Sequence, residues 1–319
     1  MVLERYDPLV DDVAAFRAAC ERRLPSVVRV NTVKTSVDRA RRALDDDGHD
    51  YEQADWYPEL LRLDSDSPGT SWPYFHGWLY GQEEVSALPA LVCAPEPDER
   101  VLDPCAAPGS KTTQLAAMMD DTGTLVANDN NLGRLSALRS NAERCGVTNL
   151  VVTNQDARNL SLGPFTPDEG DGGDGGDDSH DGQEEPLFDR ALVDVPCSCE
   201  GTIRKNPDAL DEWSLGRIRQ IASVQRDILR RAIQTTRPGG TVVYSTCTFA
   251  PEENEAVLDH VLGEEPCELV EFDVPLDTRP GVTEWKGDEY DPSVERAKRV
   301  WPHLNDTGGF FCAKLEVTG

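Results

Sequence analysis

Three cysteines stand where thiol chemistry could be done. Cys197 and Cys199 lie one residue apart in "DVPCSCEGT" (194–202), behind Asp194 and Pro196, and Cys247 sits in "YSTCT" (244–248). A Cys-x-Cys pair can clamp a metal, cycle as a redox couple, pack as two small hydrophobes or attack an electrophile. A zinc clamp needs more Cys or His at short regular spacing. No such pair occurs elsewhere in the chain, so no metal is expected. The nine cysteines show neither the density nor the spacing of a secreted disulfide scaffold, and reduced thiols are the expectation. Cys20, Cys93, Cys145, Cys267 and Cys312 read as packing residues, since cysteine is among the most buried residue types.

Acids accompany the thiols. In "VLDPCAAPGSKTTQLAAMM" (101–119) an apolar run ends at Asp103, and a turn of small residues and prolines leads to Lys111. Small side chains let a ligand approach the backbone, and a helix start offers free N–H groups. A nucleotide phosphate loop would need G-x-x-x-x-G-K-[ST]; here Cys105 replaces the first glycine and Ser110 precedes Lys111, so that reading is set aside. Asp129, at the end of "TLVAND", could grip the two hydroxyls of a ribose or simply cap a helix. Asp156, in "NQDA", could meet an adenine amino group or be another cap. The series Asp103, Asp129, Asp156 and Asp194 suggests an adenosine-type ligand.

The elements that would position these residues alternate. Strands are predicted at "RVLDPC", "TLVAND", "NLVVTNQDA", "FDRALVDVP" and "GGTVVYSTC". Helices are predicted at "KTTQLAAMM", "LGRLSALRSNAERCG", "EWSLGRIRQIASVQRDILRRAIQTT" and "PEENEAVLDHVL". In the long helix Leu215, Ile218, Ala222, Leu229 and Ala232 recur at helical spacing. "FFCAKLEV" reads as a closing edge strand. Alternation of this kind argues for an α/β fold with a mostly parallel sheet, whose ligands sit beyond the carboxyl ends of the strands. Each acid and each thiol of interest follows such a strand. Upstream, "VVRVNT" and "LLRLD" read as strands around a helix capped by Ser36 and stopped at Gly48. "GWLYGQEEVSALPALVCA" (77–94) reads as a helix leading into a second domain. The Gly- and Asp-rich insert 167–186 has almost no apolar content and is expected to be a disordered surface loop. A calcium loop there would lack a closing glutamate and flanking helices.

Cys197, Cys247 and Asp194 should therefore share one crevice. Carbon 5 of cytosine is too poor a nucleophile to accept a methyl group unaided. A thiolate adding at carbon 6 makes it enamine-like, and an acid holding the base at N3 or its amino group stabilises the adduct. "LDPCAAPGSKT", "DVPCSCEGTIRKNPD", "YSTCTFAPEENE" and "WPHLNDTGGFFCAKLE" resemble, in order and over nearly the whole chain, the Nop/Sun family of RNA cytosine-5 methyltransferases. "VVRVNTVK" is similar to the start of that family's small RRM-like domain, and "GTIRKN" most resembles the tRNA-modifying branch, including its archaeal members. The resemblance implies an RRM-like unit over 1–75 and a Rossmann-like class I methyltransferase domain over 76–319 with a seven-stranded sheet. It implies that Cys105, Ala106, Ala107, Pro108, Gly109, Ser110 and Lys111 form the S-adenosyl-L-methionine loop, with Asp129 on the ribose, Asp156 on the adenine and Asp194 on the target cytosine. Cys247 is then the nucleophile and Cys197 assists product release. The substrate expected is tRNA, with rRNA methylation or a non-catalytic assembly role as alternatives. A DNA cytosine methyltransferase, whose Pro-Cys cysteine is the nucleophile, would leave "YSTCT" unexplained. The family has glycine where this chain has Cys199, so a positive φ is expected there. The absence of a C-terminal RNA-binding extension suits the compact archaeal members.

Acidic residues number 59 against 31 basic ones, a net charge of -28, and only six lysines occur. Acid spread along the whole chain fits a protein working in concentrated salt, where self-repulsion is screened. RNA affinity would then rest on shape, stacking and a few cations, with Arg22, Arg23, Arg29, Arg204 and Lys205 as candidates. No apolar run could span a bilayer, and "MVLERYDPLV" lacks a signal peptide's apolar stretch. A cytoplasmic monomer with no membrane partner is expected.

Overall fold

The computed structural model describes residues 2–64, 68–165 and 187–319. The insert 167–186 lies outside the described residues. Helix α1 (Val13–Glu21), capped by Asp12, precedes a four-stranded antiparallel sheet of β1 (Ser26–Val30), β2 (Tyr51–Gln53), β3 (Leu60–Leu63) and β4 (Leu79–Gly81), ordered β2-β3-β1-β4. Helix α2 (Val37–Asp46) starts where Ser36 accepts a hydrogen bond from Arg39 N, and Gly48 follows it at φ +76. Helix α3 (Trp72–Phe75) leads into β4.

The helix expected over 77–94 begins later. Val28 and Val30 of β1 pair with Gly81 and Leu79, so the first part of that stretch completes the small sheet. The central strand β1 would otherwise leave one edge of buried main chain unpaired. A 3-10 turn over Glu84–Ala87, capped by the Glu83 side chain, then starts α4 (Leu88–Cys93).

The larger sheet contains β5 (Arg100–Asp103), β6 (Thr124–Asn128), β7 (Leu150–Thr153), β8 (Phe188–Asp194), β9 (Thr236–Thr246), β10 (Cys267–Leu269) and β11 (Arg279–Pro280). A separate hairpin of β12 (Glu284–Trp285) and β13 (Asp288–Glu289) precedes β14 (Lys298–Val300) and β15 (Phe310–Val317). The order is β11-β14-β15-β9-β8-β5-β6-β7, with β10 also on β15. The five strands from β9 to β7 are parallel, and those beyond β9 are antiparallel. Among the described residues the sheet thus has two short strands, β10 and β11, beyond the expected seven. "FFCAKLEV" is an interior strand, flanked by β9 and β14, and not an edge. Its four consecutive buried residues, Phe310–Ala313, are what a strand covered on both faces requires.

Alternate residues show the two faces. Ala191, Val193, Val242 and Tyr244 join the cluster under α7 (Leu215–Thr235) and α8 (Glu255–Leu262). Leu192 and Val243 join the one under α4 and α5 (Ser110–Met118). Helix α6 (Leu132–Cys145) packs Leu135 and Leu138 on Ala127. In α7, Leu215 is exposed at the first turn and the buried stripe starts at Ile218.

The two units interlock. Helix α1 leaves the small sheet and sets Phe16 edge-on against Phe249 and Trp301, just before α9 (Pro302–Asn305). Arg29, expected as an RNA contact, is buried and donates to Gln82 Oε1 (2.8 Å) and to Thr113 Oγ1 on α5 (2.9 Å). Arg204, also expected as an RNA contact, is buried too. It donates to the carbonyls of Arg22, Arg23 and Thr307 and to Asp306 Oδ1. A guanidinium's five fixed donors suit this clasping of several carbonyls.

Candidate active site

The carboxyl ends of β5, β6, β8 and β9 open on one side. Between β5 and α5 the chain turns so tightly that Gly109 adopts φ +105, where a Cβ would lie 2.8 Å from Leu138 Cδ1. Thr112 Oγ1 donates to Asp103 Oδ2 (2.7 Å), and burial pushes the Asp103 carboxyl up to about 7. Asn128, which sequence reasoning missed, donates to the carbonyls of Pro104 and Gln155 and ties the turns after β5 and β7 together. Its place beside Asp129 at the end of the predicted strand "TLVAND" was the available signal.

A cavity of about 510 Å³ lies over these ends, lined among others by Cys105, Ala107, Asp129, Asp156 and Asp194. Ala106 is buried beside it, and Gly109 turns onto Leu138. Pro108, Ser110 and Lys111 line a second cavity, of about 370 Å³, so the expected cofactor loop divides between two spaces. Asp129 is 2% exposed. It is no helix cap, because Asn131 caps α6 by accepting from Gly133 N and Arg134 N. Its Oδ1 accepts from Asn131 N. Its Oδ2 lies 3.0 Å from Arg134 Nη1, off the hydrogen-bonding line, and has no hydrogen-bond partner. A buried carboxylate oxygen that lacks a hydrogen-bond donor, on a residue lining the cavity, fits a ribose hydroxyl, as S-adenosylmethionine would offer. Asp156 does act as a cap, of the turn Ala157–Asn159, and its pairing with Arg158 (2.6 Å) holds its carboxyl below the usual range.

Asp194 and Cys247 line both cavities. Asp194 accepts from Lys111 Nζ (2.8 Å) and Ser245 Oγ (2.8 Å). Burial alone would push the Lys111 ammonium down, but the Asp194 carboxylate outweighs it and keeps Lys111 charged. Cys197 Sγ lies 3.1 Å from Cys247 Sγ and 3.7 Å from Cys199 Sγ. Thiols this close share charge. Hydrogen bonds from Cys197 and Cys247 draw Cys199 down to about 3. Cys197 is pushed up by its bonds to Cys199 and Cys247 and by burial. Cys247 gains from its bond with Cys197, but its bond with Cys199 and burial outweigh this and push it up. Cys199 has φ 64, the left-handed backbone expected from a position built for glycine. Its sulfur lies 3.1 Å from the Cys197 carbonyl oxygen.

Main chain packed on main chain holds this cluster. Gly201 N donates to Cys247 O and Gly309 N to Gly201 O, both at 2.9 Å; a Cβ on Gly201 would sit 2.3 Å from Gly309 O. Beneath lies a carboxylate pair that sequence reasoning also missed. Glu200 accepts from Tyr6 Oη and Trp213 Nε1, each at 2.7 Å, and from Thr248. Ser198 Oγ lies 2.6 Å from Glu200 Oε2 and bonds Glu253 as well. One hydroxyl has a single proton, so one of these contacts needs a protonated carboxyl. Burial raises Glu253 to about 8, which makes it the acid that donates to Ser198. Both acids stand in the quoted motifs that carry the thiols, and that was the signal.

A pH dependence follows. Between the free carboxyl value of about 4.3 and about 8 the folded chain holds a Glu253 proton that the unfolded chain has lost. Stability should therefore fall as pH rises through that window, and Asp103 adds the same sign up to about 7. In molar KCl, which screens the net charge, the melting temperature is expected to drop from pH 5 to pH 9, and to drop less in Glu253→Gln. Equal slopes in the two proteins would contradict this assignment.

The family profile described as 16S rRNA methyltransferase RsmB/F matches residues 90–316. The ribosomal RNA small subunit methyltransferase F of Aeromonas salmonicida is 38% identical over 308 residues, 94% of this chain and 59% of that protein. The enzyme of the same name from Escherichia coli O127:H6 is 38% identical over 311 residues, again 59% of its length. This chain thus spans under two thirds of those relatives. A methyltransferase homolog from Pyrococcus horikoshii is 30% identical, with TM-score 0.81 over 99% of this chain and 94% of that one. NSun6 from the same organism, solved with the S-adenosylmethionine analogue SFG, shares the fold at 22% identity, TM-score 0.78, over 96% of this chain and 94% of that one. The chain belongs to the RsmB/F (Nop/Sun) family of S-adenosylmethionine-dependent RNA methyltransferases.

Proposed function

We propose that this protein methylates carbon 5 of cytosine in RNA, most directly in tRNA. The observation that carries this is the meeting of two cavities at Asp194 and Cys247. One suits an adenosine-type ligand and the other a base. S-adenosylmethionine in the first supplies an electrophilic methyl group. Asp194, fixed by Lys111 and Ser245, accepts a hydrogen bond from the cytosine amino group. Cys247, pushed up by Cys199 and burial, adds to carbon 6 once it has lost its proton, and the neighbouring Lys111 ammonium opposes that push. Carbon 5, once methylated, loses its proton to solvent, and the electron pair left behind restores the C5–C6 double bond and expels the Cys247 thiolate. Cys197, 3.1 Å away, donates to the departing Cys247 thiolate.

The second cavity continues past Lys205 into a third of about 270 Å³ lined by Arg23, Leu24 and Gln82, which offers RNA a route along the small sheet. Among the described residues no helix is long and apolar enough to cross a membrane. The tRNA reading rests on the run Gly201–Asn206 and its likeness to the tRNA-modifying branch. The names of the curated relatives favour a second reading, small-subunit rRNA. Purified protein, incubated with both RNA pools and the methyl donor, separates them by bisulfite sequencing. New methylcytosine in tRNA is the expected result; sites only in rRNA select the second reading, and none in either pool refutes both. The net charge of -28 adds a salt dependence. Activity and folding should rise from dilute buffer to molar KCl; full activity in dilute buffer would refute adaptation to salt.

A further inference from the structure

Cys197 and Cys199 alone are too few ligands for a metal, and the fold supplies a third. The Sγ atoms of Cys197, Cys199 and Cys247 all lie within 4.8 Å of one another. We propose that they form a three-thiolate site for a soft d10 cation of the zinc class, and that its occupation holds the protein inactive.

The geometry is close to what such a cation needs. With zinc–sulfur bonds of about 2.3 Å, tetrahedral ligand sulfurs stand about 3.8 Å apart. Cys197 and Cys199 are at 3.7 Å. Cys197 and Cys247, at 3.1 Å, need to open by about 0.7 Å to reach that spacing. All three side chains are half-buried and line the larger cavity, so an entry path exists and a water can take the fourth position. Thiolates select soft cations over calcium or magnesium. The left-handed turn at Cys199 brings its sulfur beside that of Cys197, and glycine at that position would leave only two thiols. Each thiol that coordinates releases its proton to solvent, and no oxidant or reductant is involved. The bound cation occupies the lone pair with which Cys247 would add to a base. This last consequence rests on the proposed methyl transfer; the metal site does not.

The test uses the whole chain, stripped with a chelator, freed of the chelator and kept reduced with a phosphine. Zinc is titrated against a competing chromophoric chelator, and cobalt(II) is added separately as a spectroscopic probe. The wild type should bind one zinc per chain and show a thiolate-to-cobalt charge-transfer band. Cys199→Gly keeps the other eight cysteines and suits the φ of that position. It should bind zinc at least about 10-fold more weakly and lose the band, since changes outside the coordinating atoms already cost that much. No zinc on the wild type, or equal affinity in Cys199→Gly, overturns the site. Methyl transfer by the metal-free wild type should stop on adding stoichiometric zinc and return with chelator. Zinc binding without any activity of the metal-free protein leaves the site standing and refutes the methyltransferase reading. Activity untouched by bound zinc overturns the inhibitory role.

Discussion

Cys247→Ala protein, supplied with methyl-labelled S-adenosylmethionine and RNA, is expected to transfer no measurable methyl group. The fall should be at least about 10⁴-fold, the scale seen when a covalent nucleophile is removed. Carbon 5 of cytosine has no other route to nucleophilic character at this site, because the charge on it depends on addition at carbon 6. Cys247 is half-buried, and truncating it should cost only about 1 kcal/mol of stability. A melting temperature lowered by only a few degrees beside lost activity therefore separates chemistry from folding. Cys267→Ala, another half-buried thiol but on β10, is the control and should retain activity. A Cys247→Ala protein keeping more than about a tenth of the wild-type rate would remove Cys247 from the mechanism.

Cys197→Ala should fail in the opposite way, by stopping after the covalent bond has formed. With its thiol 3.1 Å from the Cys247 sulfur, Cys197 is placed to act on the bond between that sulfur and carbon 6. Its loss leaves addition possible and release slow. A slow-migrating protein–RNA band should accumulate under denaturing electrophoresis, and its yield should depend on the methyl donor. The double variant Cys197→Ala/Cys247→Ala should give no band. A band from Cys247→Ala and none from Cys197→Ala would exchange the two roles.

Both experiments rest on a site that is largely legible in the order of residues along the chain. One acid or thiol after each strand marks the carboxyl ends of a parallel sheet, and Asp103, Asp129, Asp194, Cys197 and Cys247 gather there because parallel strands end on one side. The glycine-like backbone at Cys199 is legible from the motif around it. The arginines are not. Arg29 and Arg204 look like surface cations in one dimension, yet each is buried by an element far along the chain. The distant partner, Thr113 or Thr307, decides whether a guanidinium faces solvent or main chain. The Glu200–Ser198–Glu253 arrangement is hidden for a related reason, since the Glu253 proton depends on burial, which spacing does not express. The interior placement of β15 is hidden because β14 has three residues, too few for a period to show.

Composition and local pattern alone thus determined the α/β class, the alternation of strand and helix, the acidic charge and the residue types at each strand end. These depend on neighbours two to four positions away, through strand and helix periodicity and turn stereochemistry. Tertiary structure alone decided that a Cys-x-Cys pair gains a third sulfur from fifty positions downstream, that Asp129 keeps an oxygen without a hydrogen-bond donor, and that two cavities meet at Asp194 and Cys247. Distances of about 3 Å between remote side chains arise from how the sheet's loops pack, and no one-dimensional spacing contains them.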